Sequence, residues 1–123
     1  MDRKAVQTWL DRYVAAWRAN DHATIVDLFT LDAEYRFHPW DDPVRGNEAV
    51  AAAWLEEPDD PERWDAWYEP AAVEGEVAVA TGTSTYFDQD GKPERTYDNA
   101  FVLRFDDEGR CRSFTEFFME RPR

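Results

Sequence analysis

A carboxylate at position 116 has an aromatic ring two residues to either side, Phe114 and Phe118. In a strand those three side chains share one face. A glutamate held among rings loses hydration, and its pKa rises toward neutrality, where it can act as acid or base. The opposite facing puts Glu116 on the surface or against Arg112, and a single bulge is enough to switch between the two. Asn99 alternates in the same way with Phe101 and Leu103. A three-residue turn through Asp107, Glu108 and Gly109 brings Asn99 and Glu116 to neighbouring rungs, where the amide donates to an oxygen or orients the carboxylate. His38 precedes Pro39 at the end of a short alternating segment. Its imidazole, with a reference pKa of about 6.5, moves protons in either direction near neutral pH, or is simply a satisfied group at a strand end. Thr81, Thr83 and Thr85 set three hydroxyls on one face, which reads as a polar cavity lining or as a solvated surface.

Other chemistries lack their residues. Only His22 and His38 are available for a triad or a metal site, and Cys111 is the one cysteine, so neither a disulfide nor a cysteine zinc site is expected. No Gly-rich phosphate loop or Gly-x-Ser-x-Gly elbow occurs. The net charge of −13 argues against nucleic acid and anionic membrane surfaces. No apolar run is long enough to span a bilayer, and the first residues have no signal-peptide character, so a cytoplasmic protein is expected. Much of the acid lies in Glu56–Glu62, a segment interrupted by Pro58 and Pro61 and read as a solvated loop. Against this, nineteen aromatic residues exceed what one small core requires.

The elements that must position these groups follow from periodicity. Val6, Trp9, Leu10, Tyr13, Val14 and Trp17 form a helical stripe over Arg3–Arg18. Asn20 or Asp21 caps a second helix with Ile25, Leu28 and Phe29 facing inward. Asp32–His38 alternates as a strand stopped by Pro39. Gly46 or Asn47 starts a third helix facing inward through Val50, Ala53 and Trp54. Beyond the acidic loop the period becomes two, predicting strands over Arg63–Val73, Glu76–Phe87, Thr96–Phe105 and Arg110–Glu120, with Gly75, Gly91 and Gly109 in the turns. The expectation is one α+β domain over residues 1–123, three helices packed on one face of a bent, mainly antiparallel sheet.

This order of elements, together with particular residues, resembles the nuclear transport factor 2-like superfamily and its SnoaL-like branch, and within it bacterial ketosteroid isomerase. Arg12-Tyr13-Val14, Asp21, Ile25-Val26 and Asp32-Ala33 align with the first helices of that isomerase without a gap. The run Leu103-Arg104-Phe105-Asp106-Asp107-Glu108-Gly109-Arg110 is similar to its last hairpin. Gly46 and the helix after it also fall in place.

The resemblance implies an α+β roll whose curved sheet encloses a cone-shaped pocket, and a homodimer through the outer sheet face. Pocket walls would come from Tyr13, Trp17, Phe29 and Trp54 on the helices, from Thr81, Thr83 and Thr85, from Asn99, Phe101 and Leu103, and from Phe114, Glu116 and Phe118. Tyr13 matches a tyrosine that donates to a substrate oxygen. His38, or Phe37 if one residue is inserted, falls at the position of the proton-moving aspartate. Phe101 replaces the second acid of the oxyanion hole, and losing such a donor costs about 2–4 kcal/mol, so steroid isomerisation is not expected. What is expected is a cofactor-free protein binding a small hydrophobic or aromatic molecule, with acid–base work at His38 and Glu116 and oxygen binding at Tyr13 and Asn99. The alternatives are a noncatalytic ligand-binding or protein-interaction module, and a dimeric scaffold whose pocket is filled by its own side chains.

Overall fold

A computed structural model describes residues 1–123. Helix α1 (Arg3–Ala19) buries Val6, Trp9, Leu10, Tyr13 and Ala16 along one face. The Asp2 carboxylate caps it by accepting the Ala5 N–H at 2.8 Å. Asn20, left-handed at φ 51°, ends it by donating its N–H to the Ala16 carbonyl at 3.0 Å. Helix α2 (His22–Leu28) is short. Phe29 does not continue it: its backbone is extended, and it opens strand β1 (Phe29–Arg36). A two-residue strand β2 (Val44–Arg45), which periodicity does not predict, pairs with β1 and leads into helix α3 (Asn47–Glu56).

The remaining strands are β3 (Trp64–Glu74), β4 (Val77–Phe87), β5 (Pro93–Phe105) and β6 (Cys111–Glu120). They lie in one six-stranded sheet of order β2-β1-β6-β5-β4-β3. All pairs are antiparallel except β1 with β6. The sheet is therefore mixed, because its first strand enters from the helical half and joins the last strand of the meander. The α+β expectation holds, as three helices on a curved open sheet.

Trp9 anchors the core. Its ring meets Tyr13, Phe29, Phe105 and Phe114 at centroid distances between 5.5 and 5.9 Å, and its indole N–H reaches the Leu28 carbonyl at 3.0 Å. That hydrogen bond removes the penalty of burying the indole N–H.

Two bulges decide which side chains turn inward. Between β4 and β5, Tyr86 pairs with Arg95 but Phe87 with Pro93, leaving Glu94 unmatched. Between β5 and β6, Arg104 pairs with Ser113 but Phe105 with Cys111, leaving Arg112 unmatched. Each extra residue reverses the alternation beyond it. The second bulge turns Phe114, Glu116 and Phe118 toward the helices. The first sends Thr81, Thr83 and Thr85 to the outer face and brings Ala80, Gly82, Ser84 and Tyr86 inside.

Candidate functional site

Where the sheet curls past the end of α1, the helices no longer fill it, and a cavity of about 660 Å³ remains. Tyr13 and Trp17 reach it from α1, Trp54 from α3, Tyr35 from β1 and Tyr68 from β3. Ser84 and Tyr86 come from β4, Arg95, Tyr97 and Asn99 from β5, and Glu116 and Phe118 from β6. The residue deepest in the chemistry is Glu116, on the rung opposite the buried Phe101.

Glu116 ends a chain of hydroxyls. The Tyr35 phenol donates to Glu116 Oε2 at 2.8 Å, and the Tyr13 hydroxyl lies 3.4 Å from that of Tyr35. Tyr35 has one proton, so once it is given to the carboxylate, Tyr13 can only donate to Tyr35. Burial pushes the Glu116 pKa up to about 7, against smaller opposing effects from the Tyr35 hydrogen bond and nearby His38. Burial, with the negative charge of Glu116 second, raises the phenols of Tyr13 and Tyr35, which holds both as neutral donors. The cavity still admits solvent to part of the Glu116 side chain, which is only partly buried.

A second polar group lies one rung nearer the mouth. Asn99 donates from Nδ2 to the Ser84 hydroxyl at 3.1 Å. At the mouth, the Trp17 indole N–H is held by Asp59 Oδ2 at 2.9 Å while its ring stacks on Trp64 at 3.7 Å. The expected solvated loop thus has a structural side: Glu56, Glu57 and Asp59 border the opening.

Of the residues singled out in the sequence, Tyr13, Trp17, Trp54, Asn99, Glu116 and Phe118 line the cavity. Others do not. Phe29, Phe101, Leu103 and Phe114 share the inward face but sit at its deep end, at 1 % exposure or less, as core. Thr81, Thr83 and Thr85 are outside, where the register shift between β4 and β5 sends them. His38 lies at the rim: its Nδ1 is 2.8 Å from Asp41 Oδ2 and its ring stacks on Trp40, while Phe37 takes the inward place. Tyr35, Tyr68, Ser84, Tyr86, Arg95 and Tyr97 are among the lining residues that the sequence pattern does not assign to the cavity. Tyr35 carried a usable signal, alternating with Ala33 and Phe37. No group of three or more His, Cys, Asp or Glu side chains is placed to hold a metal ion, and no helix is long and apolar enough to cross a membrane.

The family model described as SnoaL-like domain matches residues 10–114. No curated protein matches the sequence. Many chains of known structure match its fold. One is a crystal structure of a protein from Kribbella flavida DSM 17836, provisionally described as a ketosteroid isomerase. It is 16 % identical, superposes with a TM-score of 0.74, and the match covers 99 % of this chain and 83 % of that one. At that identity the likeness concerns the fold alone.

Proposed function

Because the chain belongs to the SnoaL-like domain family, whose fold positions side chains around an internal space, we propose that it binds a small, largely aromatic molecule there and exchanges a proton with it through Glu116. One observation carries this reading: a carboxylate with a pKa of about 7, hydrogen-bonded to a tyrosine, faces the cavity. A group that titrates near the working pH is suited to both taking and returning a proton. Proton uptake also reverses the hydroxyl chain. Protonated Glu116 donates to Tyr35 and Tyr35 to Tyr13, which frees the Tyr13 proton for an oxygen on which charge develops. No cofactor is needed for such a step.

The buried Phe101 excludes an acid from the rung opposite, so Glu116 is the only carboxyl at the cavity floor. The reading is accordingly cofactor-free proton transfer of the isomerase or lyase type, distinct from that of a standard ketosteroid isomerase. Its test is Glu116→Gln, which keeps size and polarity but cannot titrate. Ligand binding retained with turnover lost supports the reading. Turnover unaffected contradicts the role of Glu116, whereas no turnover in either protein, with binding kept in Glu116→Gln and lost on Trp17→Ala or Trp54→Ala, identifies a binding module instead.

We also propose that two copies associate through the outer sheet face. Trp67 and Met119 stand 55 % and 76 % exposed there, on one continuous row through Thr83 and Asp98. Phe117 occupies the next row, beside Ala100 and Thr81. Exposed apolar side chains spread over one sheet face mark an association surface. Sedimentation should give a dimer for the unmodified chain and a monomer for the double variant Trp67→Glu, Phe117→Glu. A folded monomer before substitution contradicts the proposal.

A further inference from the structure

The cavity contains one cation, Arg95. Nine of the twelve arginines of the chain reach a carboxylate. Arg3 and Arg63 donate to the carbonyls of Pro70 and Phe87. Arg95 alone does neither, in a chain with 27 acidic residues. Its guanidinium lies over the Tyr86 ring at 4.9 Å and gives one N–H to the Tyr97 hydroxyl at 3.3 Å. A guanidinium has five N–H donors. The two tyrosines hold it against the cavity wall, and its other N–H groups have no hydrogen-bond partner in the chain.

We propose that Arg95 is the specificity-determining residue of the cavity, and that the ligand is an elongated aromatic molecule bearing a carboxylate, which Arg95 takes at the mouth while the opposite end reaches Glu116. This rests on the reading of the cavity as a ligand site and adds the head group and shape of the ligand. A planar fork pairs with a carboxylate through two parallel hydrogen bonds, which an amide or ammonium cannot reproduce. The length follows from the strand. Arg95 and Phe101, the rung of Glu116, are separated by roughly 20 Å of extended chain, which the two side chains shorten from either end. A compact monocyclic ligand would span only part of that distance.

The acidic groups at the mouth do not substitute for Arg95. Asp59 spends Oδ2 on the Trp17 indole. Glu56 and Glu57 are exposed, where water and salt weaken their fields. Their sign opposes an anion, so the guanidinium must supply the attraction through direct contact, and the preference should depend on Arg95 alone.

Titration calorimetry of the full chain with biphenyl-4-carboxylate, its primary amide and 4-phenylbenzylamine separates the possibilities. The carboxylate should bind on the order of tenfold more tightly than the amide, the size expected of one charge-assisted contact. Arg95→Gln should abolish that preference. Arg95→Lys should restore only part of it, since an ammonium cannot pair in two places. Circular dichroism of both variants should match that of the unmodified chain, because neither substitution touches the core. Equal binding of carboxylate and amide overturns the role of Arg95 while leaving the ligand cavity standing. Tightest binding of the amine overturns it in favour of recognition by the acids. If no compound binds at millimolar concentration, the cavity reading fails and this inference with it.

Discussion

Glu116→Gln should lower proton-transfer activity by about 10²- to 10⁴-fold, the usual contribution of a positioned acid–base group, and at the same time make the protein more stable at pH 8. The first effect can be followed without a known pathway, as deuterium incorporation next to the carbonyl of cyclic and aromatic ketones in D₂O. The second follows from linkage. Burial raises the pKa of Glu116 from an ordinary 4.5 to about 7, so the folded chain holds this proton more tightly than the unfolded one. The stability this contributes is full below about pH 4.5 and is lost as the pH rises to about 7. Above that, the fold carries a charge it has partly desolvated, at a cost of about 2 kcal/mol once solvent access through the cavity is allowed for. Glutamine removes that cost. Urea denaturation should therefore show a gain of about that size at pH 8 and none near pH 4. A variant with unchanged exchange activity, or with equal stability at both pH values, would contradict the role given to Glu116.

Gly82→Ala should unfold or severely destabilise the chain, by about 3 kcal/mol or more. Gly82 pairs with Tyr68 on one side and Asn99 on the other. A Cβ there would overlap the Trp67 carbonyl oxygen and lie 2.8 Å from the Tyr68 Cα. Since both atoms are backbone, β3 would have to move away from β4, and Tyr68 would lose its packing at 4.6 Å on Phe101. The absent side chain is what lets Tyr68 lie close across the strand and form the cavity wall. Thermal denaturation gives the measurement, and a Gly82→Ala protein melting within a few degrees of the unmodified chain would show that β3 has room to yield.

Most of the fold could be read from periodicity, and part of the site could not. The α1 stripe names its own core face, and the glycine turns fix three hairpins. What periodicity could not supply was the parity of the strands. Glu94 and Arg112 are single unmatched residues near turns, and neither differs in type from ordinary surface residues. Yet the first exchanges Thr81, Thr83 and Thr85 for Ser84 and Tyr86 inside, and the second turns Glu116 inward. Phe29, Phe101, Leu103 and Phe114 have the correct facing, but alternation does not say how far along a strand the helices stop filling the space. His38 has the imidazole, while Tyr35 and Phe37 have the alternation with Ala33 that points inward. There the alternation locates the inward residues and the residue type does not.

The fate of Glu116 within these elements is open to direct observation. With the glutamate side chains labelled at the carboxyl carbon, and Glu116 assigned by comparison with Glu116→Gln, ¹³C NMR titration should show one carboxyl with a midpoint near pH 7. That midpoint should fall on Trp54→Ala, which opens the cavity to water and relieves desolvation. A single group of carboxyls titrating between about pH 4 and 5, with none near neutrality, would mean that Glu116 is solvated and is not the proton-exchanging group of this protein.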